Sequence, residues 1–247
     1  MREGGFLLYG RVFMIFSCFC FIILIQRGFL MNKLQIFCDF DGTITKEDTL
    51  NKFLRVYADK KWLELEEEWI SGKIGSRECT SRQMELIPQL TNEEISNFID
   101  SIEIDKHFKA FMEFVKAENI DFCIVSDGFD YFINRILEKN GLNDIKVFSN
   151  HLEIKNGKFL CTFPYTNPEC RTGAGMCKCN IIKNRKNVTK AVYYVGDGVS
   201  DFCASKKADK IFAKGRLLEY CKKNKIAENG LIGFSSFKEI PEFLKTL

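Results

Sequence analysis

The chain has 247 residues, enough for one large α/β domain or for a core domain with a smaller accessory domain. Hydrophobic residues make up 46% and charged residues 28%, a balance typical of globular proteins that excludes a mainly disordered chain. The net charge of +3 is small and the basic residues are scattered, so nothing in the composition predicts a nucleic-acid partner.

An uninterrupted apolar run covers residues 12–25, with Arg2 and Arg11 before it. It is shorter than the about 20 residues that a spanning helix needs, and no small-residue cleavage site follows it. Three interpretations stay open: a signal or membrane anchor, a packed helix, and an extension over residues 1–30 that is foreign to the working protein. We favour the last, because Met31 directly precedes the first predicted strand and leaves almost no linker. We therefore expect a cytoplasmic protein, with a protein anchored in the membrane through residues 12–25 as the alternative.

From Leu34 onward, strand and helix patterns alternate along the chain. A buried strand is predicted at 34–38, a helical segment over 48–117 and a second strand at 120–125 before a helix that ends at Asn140-Gly141. A third strand at 145–148 precedes a hairpin of strands 152–154 and 158–163, joined by an Asn156-Gly157 type I′ turn. A loop over 165–175, a helix from Lys178, strands at 192–195 and 210–213 and further helices at 200–207, 217–222 and 236–247 complete the pattern.

This alternation predicts a doubly wound parallel sheet with its site at the carboxyl ends of the strands. Residues 31–47 and 118–247 would form the core domain and residues 48–117 a helical cap inserted after the first strand. A β-hairpin would be inserted before Lys178.

Two carboxylates, Asp39 and Asp41, follow the first buried strand in the segment Asp39-Phe40-Asp41-Gly42-Thr43. Their burial is costly unless a cation or a proton compensates them. Mg²⁺ prefers one or two carboxylates together with phosphate oxygens and water. One carboxylate could then attack phosphorus while the other handles the proton of the leaving group.

Three later segments also place chemistry-bearing residues at predicted strand ends or a helix start. Ser126-Asp127-Gly128 offers a hydroxyl and backbone N–H groups for a phosphate, although Ser126 as a simple helix cap is the alternative. Lys178 begins a predicted helix. The segment 196–201 supplies Asp197 as a candidate metal ligand and Asp201 as a residue that orients it.

Taken together, these motifs resemble those of the haloacid dehalogenase (HAD) superfamily, from residue 34 to the C-terminus. The closest likeness is to its phosphoserine phosphatase-like branch, and within it to the methionine-salvage 2-hydroxy-3-keto-5-methylthiopentenyl-1-phosphate phosphatases. The residues that carry this narrower likeness are Cys38 to Thr45, Asp48, the Cys177-Lys178-Cys179 segment and Gly196 to Asp201.

The resemblance implies a Mg²⁺-dependent phosphatase that acts on a small-molecule phosphomonoester through an aspartyl-phosphate on Asp39. Asp41 would be the general acid and base, and Lys178 would stabilise the charge of the phosphoryl group. The phosphate would bind to Ser126, Asp127, Gly128 and Lys178. Mg²⁺ would be held by Asp39, by the Asp41 carbonyl and by Asp197, with Asp201 behind them.

The specificity residues depart from the phosphoserine phosphatase pattern. Asp48 stands where those enzymes have Glu, and Gln83, next to Arg82, stands where they have a carboxylate-binding Arg. Asp127 follows Ser126 where Gly is more common; it could favour a cationic substrate such as phosphoethanolamine or phosphocholine, or it could simply face solvent. We keep Asp48, Arg82 and Gln83 as candidate specificity residues and phosphoserine as an alternative substrate.

The chain has 11 cysteines, several of them in apolar runs, which predicts reduced thiols. Four of them surround the Lys178 loop and could bind a structural metal: Cys161, Cys170, Cys177 and Cys179. A binding protein, soluble or membrane-anchored, that has lost catalysis would lack one of the motif residues, and none is missing. Other activities of the superfamily remain open, although a dehalogenase would not need Asp41 or Mg²⁺.

Overall fold

A computed structural model describes residues 31, 33–228 and 230–246. The apolar run over 12–25 lies outside these residues. No helix among the described residues combines the length and the apolar character that crossing a membrane requires.

A seven-stranded sheet forms the centre of the fold, in the order β4-β3-β2-β1-β5-β6-β7. All neighbouring strands pair in parallel except β4, which pairs antiparallel with β3. The strands are β1 (Leu34–Cys38), β2 (Asp121–Phe129), β3 (Lys146–Lys155), β4 (Lys158–Thr162), β5 (Ala191–Gly196), β6 (Lys210–Ala213) and β7 (Leu231–Gly233).

Strand β1 is central and buried along its whole length, because helices cover both faces of the sheet. Its side chains alternate between two apolar clusters, with Ile36 and Cys38 in one and Phe37 in the other. The predicted doubly wound α/β sheet with a hairpin before Lys178 is therefore confirmed.

Ten α-helices are formed by the described residues. They are α1 (Thr49–Tyr57), α2 (Trp62–Ile70), α3 (Ser76–Met84), α4 (Asn92–Asp100), α5 (Phe108–Ala117), α6 (Asp130–Lys139), α7 (Lys178–Arg185), α8 (Phe202–Ser205), α9 (Gly215–Lys223) and α10 (Glu239–Leu244).

The helices between β1 and β2 do not all pack in the same place. Helices α2 and α3 pack on each other, whereas α4 packs on α6 and α5 packs on α10. Thr91 caps α4 in a reciprocal hydrogen-bond pair with Glu94. The division of the chain into a core and a cap over residues 48–117 stays a prediction.

Three elements differ from the sequence expectation. The strand predicted at 145–148 and the first hairpin strand are one continuous β3, which pairs with β2 in its first half and with β4 in its second. The helix predicted at 200–207 is a 3₁₀ turn, Val199–Asp201, followed by the four-residue α8. Strand β7 was not predicted, because a three-residue strand carries too little pattern.

The hairpin turn at Asn156-Gly157 fits the expectation. Both residues have positive φ, 51° and 72°, as a type I′ turn requires. Phe159 on β4 packs edge-on against Phe53 of α1, with ring centroids 5.7 Å apart, so the hairpin is anchored to the same apolar cluster as the first helices.

Candidate active site

The carboxyl ends of β1, β2 and β5 lie side by side, because these three strands are neighbours in the sheet. Asp39 follows β1 directly, and its backbone N–H donates to the Val195 carbonyl of β5 at 2.8 Å. The parallel register thus carries the loop after β1 into contact with the loop after β5. Asp39 is only 4% exposed.

A buried ion triad forms around Lys178, the first residue of α7. Its Nζ lies 2.8 Å from Asp39 Oδ2 and 2.7 Å from Asp201 Oδ1, and it also donates to Ser200 Oγ at 3.0 Å. Burial alone would lower the pKa of Lys178, but the carboxylates of Asp201 and Asp39 raise it above its ordinary value. The lysine is therefore a fixed positive charge in the site.

Asp201 accepts a hydrogen bond from this lysine and three more from other donors. Its Oδ1 also accepts a hydrogen bond from Tyr194 Oη at 2.5 Å, and its Oδ2 accepts from the backbone N–H groups of Asp197 and Gly198 at 2.9 and 3.0 Å. Burial works toward a higher pKa, but Lys178 and these donors lower the pKa of Asp201. Asp201 is thus an ionised residue with no oxygen left for a further ligand.

Asp41 faces the neighbouring strand end. Its Oδ1 accepts from the Thr49 N–H at 3.1 Å and its Oδ2 accepts from Ser126 Oγ at 3.3 Å. Ser126 Oγ in turn accepts from the Gly128 N–H at 3.0 Å. Burial raises the pKa of Asp41, which suits a group that must carry a proton in part of a reaction cycle.

Gly128 has no room for a side chain. A Cβ at this position would lie 2.3 Å from Asp41 Oδ2 and 3.1 Å from Ser126 Oγ. Because Gly128 has no side chain, the Ser126 hydroxyl can contact the Asp41 carboxylate.

Asp197 completes a group of carboxylates that fits a divalent cation. Ligand oxygens of Asp39, Asp197 and Asp201 lie within 4.8 Å of one another. Thr43 Oγ1 donates to Asp197 Oδ1 at 2.6 Å. Burial raises the pKa of Asp197 and raises that of Asp39 well above its ordinary value, so Lys178 alone does not compensate the charge of these carboxylates.

The donor set agrees with a hard cation, because every available ligand is an oxygen. Asp39 and Asp197 each have an oxygen that could bind it, whereas Asp201 is saturated by its four donors. Since the side chain of Asp41 is turned to Thr49 and Ser126, Asp41 has only its backbone carbonyl to offer.

Asp127, near the end of β2, lines the cavity and bonds to the loop that precedes Lys178. Its Oδ1 accepts from the Met176 N–H at 2.9 Å and from Asn150 Nδ2 at 3.1 Å. Met176 lies two residues before Lys178, so Asp127 fixes the end of the loop that presents the lysine. This gives the carboxylate a partner within the protein and weakens the expectation that it selects a cationic substrate.

A cavity of about 500 Å³ opens above these residues. Its floor is formed by Asp39, Asp41, Ser126, Lys178 and Asp197, and helices α2 and α3 contribute to its walls. Apolar wall residues are Leu50, Trp69, Ile70 and Val199, and polar ones include Asp48, Glu66, Gln83 and Arg216. The floor is thus charged, and part of the wall is apolar.

The predicted specificity residues lie in different places. Asp48 lines the cavity and caps α1 through the Asn51 N–H at 2.8 Å. Gln83 lines it too, but its amide donates to the Trp62 carbonyl and to Glu66. Arg82 is exposed and bonded to Glu68 and Glu78, and it is not among the residues that line the cavity.

Two negative side chains on the wall have raised pKa values. Asp48 is open to the cavity, yet desolvation by the surrounding protein and the nearby Asp41 carboxylate raise its pKa to about 7. Burial also raises the pKa of Glu66, which the Gln83 amide and Arg216 oppose. Glu66 is the one member of the glutamate run over residues 64–68 that lines the cavity.

Several site residues were not predicted from the sequence. Tyr194 lies within the predicted strand 192–195, and the contact of its hydroxyl with Asp201 has no sequence signal. Thr43 lies inside the Asp39–Thr43 motif, and that motif is the sequence signal for its contact with Asp197. Glu66 and Arg216 come from segments far apart in the chain, and only the fold brings them to one cavity.

Of the four cysteines considered as a metal site, Cys161 lies apart from the other three. Cys161 lies on β4 against the apolar cluster of the first helices, away from the Lys178 loop. Cys170, Cys177 and Cys179 line a second cavity beside the active site, together with Cys203. All nine cysteines among the described residues are free thiols.

Known proteins resemble this chain in sequence or in fold. A family model described as “Putative Phosphatase” matches residues 34–231. A 2-hydroxy-3-keto-5-methylthiopentenyl-1-phosphate phosphatase from Bacillus cereus (strain ATCC 10987 / NRS 248) is 31% identical over 217 residues, which cover 87% of this chain and 97% of that protein. The enzyme of the same name from Bacillus thuringiensis subsp. konkukian is 30% identical over the same shares.

Solved structures with this fold include an HAD family hydrolase from Salmonella enterica serovar Typhi, with a TM-score of 0.66 and 18% identity over 84% of this chain and 69% of the other. A phosphoserine phosphatase from T. onnurineus gives a TM-score of 0.63 and 17% identity over 87% and 96%. Because the family model matches residues 34–231 and the Bacillus cereus relative is 31% identical over 87% of the chain, the chain belongs to this phosphatase family and is a phosphatase.

Proposed function

We propose that the protein hydrolyses a small-molecule phosphomonoester with Mg²⁺ and that Asp39 is transiently phosphorylated. The observation that carries this proposal is the buried Lys178, held at 2.8 Å from Asp39 and at 2.7 Å from Asp201. A lysine fixed at a carboxylate in this way neutralises the charge of an incoming phosphoryl group and aligns that carboxylate for attack.

The first half of the reaction would break the ester bond. A carboxylate oxygen of Asp39 attacks phosphorus, the bond to the ester oxygen breaks, and the protonated Asp41 gives its proton to the leaving alkoxide. The raised pKa of Asp41 makes its protonated form available for this step. When substrate binds, the Gly128 N–H and the Ser126 hydroxyl would exchange their present acceptors, Ser126 Oγ and Asp41 Oδ2, for phosphoryl oxygens.

The second half would release phosphate. Asp41, now ionised, takes a proton from a water molecule that attacks phosphorus, and the bond from phosphorus to Asp39 breaks. Bound by Asp39, Asp197 and the Asp41 carbonyl, Mg²⁺ would neutralise charge on the phosphoryl oxygens. Asp201 would act through Lys178 by holding it in position.

The cavity supports the methionine-salvage enol phosphate as the first candidate substrate. Trp69, Ile70 and Leu50 offer apolar surface to a thioether chain, and the curated relatives carry this activity in their names. The second candidate is a phosphomonoester with a cationic group, such as phosphoethanolamine or phosphocholine, because Asp48 and Glu66 face the cavity. Phosphoserine has weaker support, since Arg82 is turned away and paired with two glutamates.

A substrate screen tests this proposal. With Mg²⁺ present, kcat/KM would be measured for the enol phosphate, phosphoserine, phosphoethanolamine and phosphocholine. We expect the enol phosphate to exceed the others by about tenfold or more, because an apolar contact of this size contributes 1–3 kcal/mol. Preference for a cationic substrate that is lost in Glu66→Gln would favour the second candidate. No turnover of any phosphomonoester would contradict the proposal.

A cytoplasmic location agrees with the free thiols. Nine cysteines among the described residues are unpaired, as expected in a reducing compartment. Detection of the native protein in a membrane fraction that resists high salt would contradict this location and would favour anchoring through residues 12–25.

A further inference from the structure

Three thiols lie next to the catalytic lysine without any part in the proposed phosphatase chemistry. Cys177 caps α7 and Cys179 is its second residue, so the two flank Lys178 in sequence. Cys170 belongs to the loop that leads to this helix. All three line a cavity of about 450 Å³, which shares Lys178 and Ser200 with the active-site cavity.

The spacing of two of these sulfur atoms matches that of ligands to one soft cation. The Sγ atoms of Cys177 and Cys179 are 3.6 Å apart and are not bonded to each other. A tetrahedral Zn²⁺ with Zn–S bonds of about 2.3 Å separates two sulfur ligands by about 3.8 Å. The pair therefore has the separation of one edge of a zinc–thiolate site.

A third thiol is within reach of the pair. Cys170 lines the same cavity as Cys177, close enough for the two thiols to affect each other's pKa values, and its Sγ lies 3.3 Å from Thr172 Oγ1. Among the described residues, Asp39, Asp197 and Asp201 form the only group of three whose ligand atoms lie within 4.8 Å of one another. The three thiols do not meet this distance, so Cys170 must move toward the pair to share an ion. Its loop, between β4 and α7, contains no helix or strand, so a small movement of Cys170 toward Cys177 and Cys179 is feasible.

We propose that Cys170, Cys177 and Cys179 bind a thiophilic divalent cation, for which Zn²⁺ is the probe, in the cavity beside Lys178. The ion replaces the thiol protons, so binding releases protons and needs no oxidant. Water from the open cavity can take the fourth position. This site is separate from the oxygen-lined Mg²⁺ site, where thiophilic cations have no sulfur ligand.

Titration with Co²⁺ in place of Zn²⁺ tests the site, because sulfur ligation gives a charge-transfer band that carboxylate ligation lacks. The full chain would be kept reduced with a phosphine and saturated with Mg²⁺, so that the acidic site is filled. We expect one equivalent of Co²⁺ to produce the band and Zn²⁺ to displace it. A zinc concentration about a hundredfold above Kd should raise Tm by about 5 °C or more.

Substitutions assign the ligands. Cys179→Ser should weaken Zn²⁺ binding by about tenfold or more, because one sulfur ligand is lost. Cys161→Ser is the matched control and should leave binding unchanged, since Cys161 lies on β4. If Cys179→Ser does not fold, Cys170→Ser in the loop provides the same test. Absence of the band in the wild type would overturn the proposal. So would wild-type Zn²⁺ affinity in both Cys179→Ser and Cys170→Ser.

Discussion

Replacing Asp201 by Asn should strongly destabilise the protein, although the two side chains have the same shape. The carboxylate accepts four hydrogen bonds, two at each oxygen, from Lys178, Tyr194 and the backbone of Asp197 and Gly198. An Asn side chain can satisfy one of these pairs and presents its own N–H donors to the other. Lys178 then keeps Asp39 as its only carboxylate partner in the triad.

The expected magnitude follows from the buried donors that lose their acceptor, because Asp39 still balances the charge of Lys178. A buried donor left without a partner costs about 1–3 kcal/mol, so two of them cost roughly 2–6 kcal/mol. For a chain of this size, about 2–4 °C of Tm corresponds to 1 kcal/mol, so Tm should fall by roughly 4–24 °C. Since the lysine loses its fixed position, kcat should fall by about 10²–10³.

Thermal unfolding followed by circular dichroism, with Mg²⁺ present, measures this effect. Glu242→Gln is a matched control, because it makes the same chemical change in an exposed pair, 3.8 Å from Lys238. Such a pair contributes about 0.5 kcal/mol or less, so its Tm should stay close to that of the wild type. A Tm for Asp201→Asn within about 2 °C of the wild type would refute the account of the triad.

Further predictions concern the phosphate position and the carboxylates. Gly128→Ala should lower kcat by about tenfold or more with a small change in Tm, because its Cβ would lie 2.3 Å from Asp41 Oδ2 and displace it; wild-type turnover would contradict the contact. In EDTA-treated protein, the free energy of unfolding should fall as pH rises from about 4 through about 7. The pKa of Asp48 in the folded state is raised to about 7, so the folded state binds more protons than the unfolded state over that range. Thermal melts across this range should show a smaller slope for Asp48→Asn, and Mg²⁺ should raise the Tm of the EDTA-treated wild type; equal slopes, or no effect of Mg²⁺, would be the contrary results.

The sequence predicted the sheet well because its central strands are apolar on both faces. Strands β1, β5 and β6 lie where apolar runs end in charged or glycine-rich segments. The parallel pairing of β1 with β2 and β5 then brings Asp39, Ser126 and Asp197 to one edge, as the order of motifs suggested. Short or composite elements were harder, since β7 has three residues and β3 changes its partner midway.

The walls of the cavity could not be predicted in the same way. Arg82 and Gln83 are neighbours in sequence, but on α3 they point in different directions, so only Gln83 reaches the cavity. Glu66 belongs to a run of glutamates whose other members do not line the cavity. Which member faces the site depends on how α2 packs on α3, and local sequence does not determine that packing.

The most direct test of the central claim is to trap phosphate on Asp39. Protein quenched with acid during turnover would be digested, and the peptide that contains residue 39 would be analysed by mass spectrometry. We predict a phosphoryl group on Asp39 in the wild type. In Asp39→Asn we predict no phosphorylated peptide and no turnover. In EDTA, this variant should melt at or above the wild-type temperature, because burial disfavours the Asp39 charge in the metal-free folded state. Normal turnover by folded Asp39→Asn, or a phosphoryl group on another residue, would contradict the account.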